Sequence, residues 1–350
     1  MTDWSLLLTA VARQPARSLS SAHRQLHPLG VEGGRYSWTP SVGPETQINA
    51  ACYRDGRSVD TERVTFATLG CLRIVDHQSD AVDPAITAFY TQAPEEDRLE
   101  RGAFLLEAIR TRELIEQYAP SAPATVLDVG GAAGAYAIWL ADLGYTMHLI
   151  DVVPRLVAEA RRRSASRPRP LASCTVGDAR SLDFPDASVD AVLLLGPLYH
   201  LTTSTDRARA IAEAARVLAP GGRLFAAAIS RWASALDGLA RDRFKDESFE
   251  AIVAADVRDG QHRNPTGQLD YFTTAYFHRP DDLRAEVEAS GLVVEALVGI
   301  EGPGWLFPDI DDRLKDPRRR ADLLRVARQL ESEPSVLGTS PHLMVIARKP

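Results

Sequence analysis

Three features of the sequence predict an α/β fold built on a doubly wound, mostly parallel sheet. Between residues 125 and 229, short apolar runs alternate with stretches of helical periodicity, a pattern that implies parallel strands covered on both faces. The first apolar run, Thr125–Val129, leads through the small residues Gly130-Gly131-Ala132-Ala133-Gly134 into a helix. The composition, 45% hydrophobic and 25% charged over 350 residues, belongs to a globular chain with enough length for a large core.

The strand, glycine loop and helix at 125–141 make a nucleotide-binding corner. Glycine permits close backbone approach, and the helix N-terminus presents unpaired N–H groups. Ala137, Leu140 and Ala141 fall on one helical face, and Gly144 is the stop. The dinucleotide fingerprint needs glycine at the first, third and sixth places of its run. Gly130, Ala132 and Ala135 hold those places, so two of the three fail. The spacing is instead Asp-x-Gly-x-x-x-Gly, in Asp128, Gly130 and Gly134.

Further elements follow in order. His148-Leu149-Ile150-Asp151 reads as a second strand, ending in a carboxylate 17 residues beyond Gly134. An acid there is placed to accept hydrogen bonds from ribose hydroxyls. Arg155–Arg163 reads as the next helix, and Thr175-Val176-Gly177-Asp178-Ala179 ends a third strand. The run Ala191–Leu195 is the fourth strand, leading into Gly196-Pro197-Leu198-Tyr199-His200, and Asp206–Leu218 is the helix after it. Pro220-Gly221-Gly222 then stops that helix and opens the fifth strand, Leu224–Ile229.

These five landmarks resemble the class I S-adenosylmethionine-dependent methyltransferases, whose first motif has the Asp-x-Gly-x-x-x-Gly form. The departure is Ala132, where that family more often carries a middle glycine. The resemblance implies a Rossmann-like seven-stranded sheet in the order 3-2-1-4-5-7-6, with the last strand antiparallel. It also implies S-adenosylmethionine as cofactor, held by Asp128, Gly130, Gly131, Gly134, Asp151, Val152, Asp178, Ala179 and Gly196. In the family, the acid at the Asp178 position takes the adenine amino group. Tyr199 and His200 occupy the place where many small-molecule members meet their acceptor.

The resemblance begins near residue 81. Ahead of the first strand, Ala88-Phe89-Tyr90 and then Asp97–Tyr118 read as helix. Tyr90 is a candidate acceptor or cofactor contact because helices there often lie over the cofactor in small-molecule members; packing in the core is the alternative. After the fifth strand the alternation breaks. Ser230–Gly260 reads as mainly helical, Gln261–Gly267 as loop and Tyr271–His278 as a strand-like aromatic run. The resulting insertion, 230–279, exceeds an ordinary connection and is read as a cap over the acceptor. Tyr271, Tyr276 and His278 in it are candidate substrate contacts, against ordinary packing as the alternative. Pro280–Ser290 resumes as helix, and Val293–Ile300 and His342–Arg348 close the sheet.

Residues 1–80 read as an extension or accessory segment, with Trp4–Val11 as a short helix and Arg63–Leu69 as a strand. The net charge of −7 tilts against a partner made of RNA or DNA. Only three of the 40 basic residues are lysines, a bias of GC-rich bacterial genomes. Cys52, Cys71 and Cys174 form neither a disulfide framework nor a zinc pattern. With no apolar run of membrane-spanning length and no leader pattern, the expected location is the cytoplasm. No metal is expected, because His200, His262 and His278 lack close ligand spacing.

Methyl transfer from a sulfonium is an in-line displacement, and holding the reactants collinear can supply ~7–11 kcal/mol. A base is needed only where the acceptor must lose a proton. His200, which titrates near neutrality when unperturbed, is the candidate base, with a packing role as the alternative. The reading is therefore methylation of an oxygen or nitrogen of a small molecule, with a homo-oligomer left open. A carbon, RNA or protein acceptor on the same fold stays open as well. From other classes, so do a nicotinamide-dependent oxidoreductase and a non-catalytic cofactor-binding protein.

Overall fold

The computed structural model describes residues 83–92 and 98–350 in full, and the backbone of short strands at 9–11, 49–54 and 57–59. The chain divides into two compact units, Met1–Asp80 and Ala81–Pro350. In the first unit Thr9–Val11 pairs antiparallel with residues 49–51 of the strand Asn49–Arg54, whose residues 52–54 pair antiparallel with 57–59. Residues 9–11 are thus strand where a helix over Trp4–Val11 was expected. Residues 4–8 and the expected strand Arg63–Leu69 lie outside the described residues. No described helix is long and apolar enough to cross a membrane.

The second unit holds a seven-stranded sheet. Its strands are β1 (Thr125–Val129), β2 (Thr146–Asp151), β3 (Ser173–Val176), β4 (Val189–Leu194), β5 (Leu218–Ile229), β6 (Val293–Gly299) and β7 (His342–Arg348). Across the sheet they lie in the order 3-2-1-4-5-7-6. Only β7 runs against its neighbours, pairing antiparallel with both β5 and β6. The carboxyl ends of the other six strands and the start of β7 therefore share one edge.

The alternation of side chains along each strand feeds two cores. On one face Val126, Leu149, Leu193, Phe225 and Met344 pack under three helices. These are α2 (Gly102–Tyr118), α3 (Ala135–Asp142) and α4 (Pro154–Ala165). On the other face Leu127, Ile150, Val192, Ala226 and Val345 pack under α5 (Pro197–His200), α6 (Ser204–Val217) and α9 (Pro280–Glu288). Ahead of α2 stands α1 (Pro84–Gln92). The expected helix from Asp97 begins only at Gly102, after a 3-10 turn at Arg98–Glu100.

Strand β5 starts earlier than expected, at Leu218. The Pro220-Gly221-Gly222 stretch becomes a register shift against β4, between the pairings Val189 with Leu218 and Ala191 with Arg223. The 230–279 insertion contains α7 (Ala233–Ala240) and α8 (Glu247–Asp259). The expected aromatic strand reduces to Ala275–Tyr276, paired with Gln261–His262, which had been read as loop. After β6 come α10 (Ile310–Lys315) and α11 (Pro317–Leu330), with Asp316 capping α11 through the Arg319 N–H.

Candidate functional site

The glycine loop sits on the carboxyl edge because its backbone is fastened to β2. The N–H groups of Gly130 and Gly131 both donate to the Ile150 carbonyl, at 2.7 and 3.2 Å. Gly130 and Gly134 have φ of +74° and +83°, which glycine adopts freely. A Cβ on Gly130 would lie 2.7 Å from Cδ of Pro197, and one on Gly131 would lie 2.7 Å from Oδ2 of Asp128. The loop is thus clamped between the start of α5 and the Asp128 carboxyl. Ala132 occupies the left-handed region with φ +47°.

Asp128 is 1% exposed, and its Oδ2 meets no hydrogen-bond partner among the described residues. Burial, then the neighbouring Asp151, pushes its carboxyl up to about 7, with the Ala137 N–H working the other way. Asp151 accepts from the Ala132 N–H at 2.9 Å through Oδ2 and from the Val153 N–H at 2.8 Å through Oδ1. Burial raises its pKa, and these two N–H groups only partly offset the rise. Asp178 is drawn the other way. Its burial is outweighed by Arg180, whose Nε and Nη2 donate to it at 3.0 and 2.7 Å.

At the end of β4, Gly196 starts α5, and the side chains of Tyr199 and His200 enter an aromatic group. The Nδ1 of His200 lies 3.2 Å from the Thr274 carbonyl, and its Nε2 lies 2.7 Å from the Tyr90 hydroxyl. A carbonyl only accepts, so Nδ1 carries the hydrogen and Nε2 accepts from Tyr90. Burial pushes His200 down to about 4, against the raising effects of the Thr274 carbonyl and Asp83. The imidazole is therefore neutral at physiological pH. Ring centroids of Tyr90, Tyr199 and Phe272 lie 5.2, 4.7 and 5.7 Å from that of His200, and Phe89 lies 5.3 Å from Phe272.

The cap candidates divide. Tyr276 lies under the Arg207 guanidinium at 3.8 Å and bonds Arg231 through its hydroxyl. Tyr271 is packed against Phe249, and its hydroxyl donates to Asp246 at 2.8 Å. His278 is fully buried, with Nε2 3.2 Å from Glu286. Tyr276 and His278 thus tie the insertion to α6 and α9, and Tyr271 is engaged within the insertion itself, the packing given as the alternative to substrate contact. Tyr90, read with core packing as its alternative, is the one brought to His200.

Phe272 and Thr274 had not been singled out; nothing in their spacing separates them from the aromatic run around them. Phe272 has φ +64° and ψ −164°, a conformation that bulky residues rarely adopt. His200, His262 and His278 do not gather as a ligand set among the described residues. Another group does: ligand atoms of Glu107, Glu301 and His342 lie within 4.8 Å of one another.

Against known proteins, residues 127–226 match the profile of the family described as "Methyltransferase domain". This segment is a class I S-adenosylmethionine-dependent methyltransferase domain. The family's cofactor is S-adenosylmethionine, and the cradle fits it. The buried unpartnered oxygen of Asp128, the loop without side-chain bulk, the acid that ends β2 and the acid that follows β3 are the features such a ligand requires.

The chain is 32% identical over 154 residues to a ubiquinone/menaquinone biosynthesis C-methyltransferase of Acidiphilium cryptum, covering 43% of this chain and 59% of that protein. It is 38% identical over 112 residues to an uncharacterized methyltransferase of Mycobacterium tuberculosis, covering 32% of this chain and 42% of the relative. A probable tRNA methyltransferase of Homo sapiens is 32% identical over 117 residues, covering 33% of this chain and 23% of its own length. The match to these relatives spans less than two thirds of their lengths.

Proposed function

We propose that the protein is a methyltransferase that moves a methyl group from S-adenosylmethionine to an oxygen or nitrogen of a small, flat acceptor. The observation that carries this reading is the Tyr90 hydroxyl on Nε2 of His200, inside the aromatic group at the end of β4. The bound cofactor supplies an electrophilic methyl. Asp151 and Asp178 would hold its ribose and adenine, and the Gly130–Gly134 backbone would face its methionine end.

The aromatic faces of Tyr199 and Phe272 suit a planar acceptor and the passage of a sulfonium. A proton leaving the acceptor is taken up through Tyr90, with His200 fixing the hydroxyl's direction. The acceptor's proton passes to the Tyr90 oxygen as Tyr90 gives its own to Nε2 of His200, so His200 reaches the acceptor only through Tyr90. A second reading, methylation at ring carbon, is favoured by the same aromatic enclosure and by the likeness to the Acidiphilium C-methyltransferase.

The test is methyl transfer from labelled cofactor across a panel of phenols, amines and catechols, with Tyr90→Phe and His200→Ala beside the parent. Turnover is expected to fall by about 10²-fold or more in each while cofactor affinity stays within twofold. Unchanged turnover in Tyr90→Phe contradicts the relay. Product methylated at carbon selects the second reading.

A further inference from the structure

The loop after β3 carries an arginine whose part in the cofactor site has not been assigned. The loop is tied to the end of β2, where the Gly177 N–H donates to the Asp151 carbonyl at 3.1 Å. It then turns sharply, with the Ser181 N–H on the Asp178 carbonyl at 3.0 Å. Inside this turn Arg180 folds back over Asp178. The Arg180 side chain keeps 7% of its surface exposed, against 28% for Asp178. Its Nη1 reaches Asp206, in the first turn of α6, at 3.2 Å. The guanidinium therefore spans from the β3 loop to α6.

A carboxylate offers about four lone-pair sites. Arg180 fills three of them on Asp178. Its backbone N–H and its Nε both donate to Oδ1, at 2.8 and 3.0 Å, and its Nη2 donates to Oδ2 at 2.7 Å. One site, on Oδ2, is left over from these contacts. Burial alone favours the protonated acid, but the bonds and charge of Arg180 outweigh it and keep Asp178 ionised. An ionised carboxylate only accepts, so whatever meets that remaining site must bring an N–H or O–H. The amino group of a 6-amino purine does so. The carbonyl of a 6-oxo purine instead sets two acceptors facing each other, which leaves a charged group without its partner.

We propose that Arg180 is a positioning residue that sets the base selectivity of the cofactor site: it makes Asp178 an acceptor only, so that the site takes a 6-amino purine nucleoside and rejects a 6-oxo one. The inference rests on the methyltransferase reading, in which Asp178 meets the purine, and adds the residue that decides which purine. Arg180 acts through Asp178, without touching the base.

The experiment is calorimetric titration of the whole protein with S-adenosylhomocysteine and with its 6-oxo analogue, S-inosylhomocysteine, at neutral pH and at about pH 5.5. The parent is expected to prefer the amino form by at least about tenfold at both. Arg180→Met keeps much of the stem and removes the fork. Its preference should shrink to within about threefold, and the 6-oxo analogue should bind more tightly at the lower pH, where Asp178 takes a proton and donates to the carbonyl. Arg180→Lys keeps the charge without the fork, so its preference should lie between the two and be the same at both pH values. This second variant decides the matter if Arg180→Met does not fold. Asp206→Asn, which loosens the tie to α6 and leaves Asp178 alone, should keep the parent's preference.

An unchanged preference in the folded Arg180 variants overturns the inference. So does an equal loss of both ligands, the mark of a merely structural role, or a loss of preference in Asp206→Asn as large as in Arg180→Met. A parent that binds both ligands equally well overturns it too and leaves the methyltransferase reading standing. If the parent does not bind S-adenosylhomocysteine, that reading falls and takes the inference with it.

Discussion

Ala132 shows what one methyl does at a crowded turn. The family's middle glycine would adopt φ +47° without strain, whereas alanine there costs roughly 1 kcal/mol. Ala132→Gly is therefore expected to raise stability by about 0.5–1 kcal/mol in denaturant unfolding, with cofactor affinity retained; a loss of stability contradicts this account of the turn. The loop residues Asp128, Gly130 and Gly134 and the acids Asp151 and Asp178 were legible in the sequence because strand, turn and acid recur at fixed spacing. The Tyr90–His200 contact was not. It joins residues 110 apart, and no local period relates α1 to α5. Glu107, Glu301 and His342 escaped for the same reason, since three different elements bring them together.

At the scale of elements, the insertion is held by buried polar bonds as much as by its apolar contacts. Asp256 on α8 is fully buried, accepting from Ser234 of α7 at 2.6 Å and lying 2.9 Å from Nδ1 of His262. His262 reaches onward to the Tyr271 carbonyl at 2.8 Å. Asp256→Ala leaves these groups buried without their partner and is expected to cost about 3 kcal/mol. Limited proteolysis should then cut first within 230–279, and cleavage elsewhere contradicts this linkage.

The insertion's helices were legible from their apolar spacing. Its aromatic strand was misread because β-leaning composition does not reveal that only Ala275–Tyr276 finds a partner. The last helices, α10 and α11, were passed over although Asp316-Pro317 carries a start signal, an N-cap acid before a proline at the first helical place.

For the whole domain, the sheet order followed from the alternation of elements together with the family resemblance. The resemblance was needed for β6 and β7, because the crossing that makes β7 antiparallel leaves no local trace. Charge couples this edge to stability. Burial disfavours the charged form of His342, but Glu107 and Glu301 outweigh it and raise the ring to about 9, so the folded state holds a proton that the unfolded chain releases near 6.5. Its stabilisation is fully present below about pH 6.5 and is lost as pH rises through about 9, amounting to up to about 3 kcal/mol. The thermal midpoint is expected to fall across that window, and His342→Gln should flatten the fall; an equal fall in the variant would assign it to other groups.

The most direct test of the central claim is calorimetric titration with S-adenosylmethionine, S-adenosylhomocysteine and NAD, repeated on Asp151→Ala. The account predicts micromolar binding of the first two, none of NAD, and at least about tenfold weaker binding in the variant as the ribose hydrogen bonds are lost. Binding of NAD alone, or an unchanged affinity in Asp151→Ala, contradicts it.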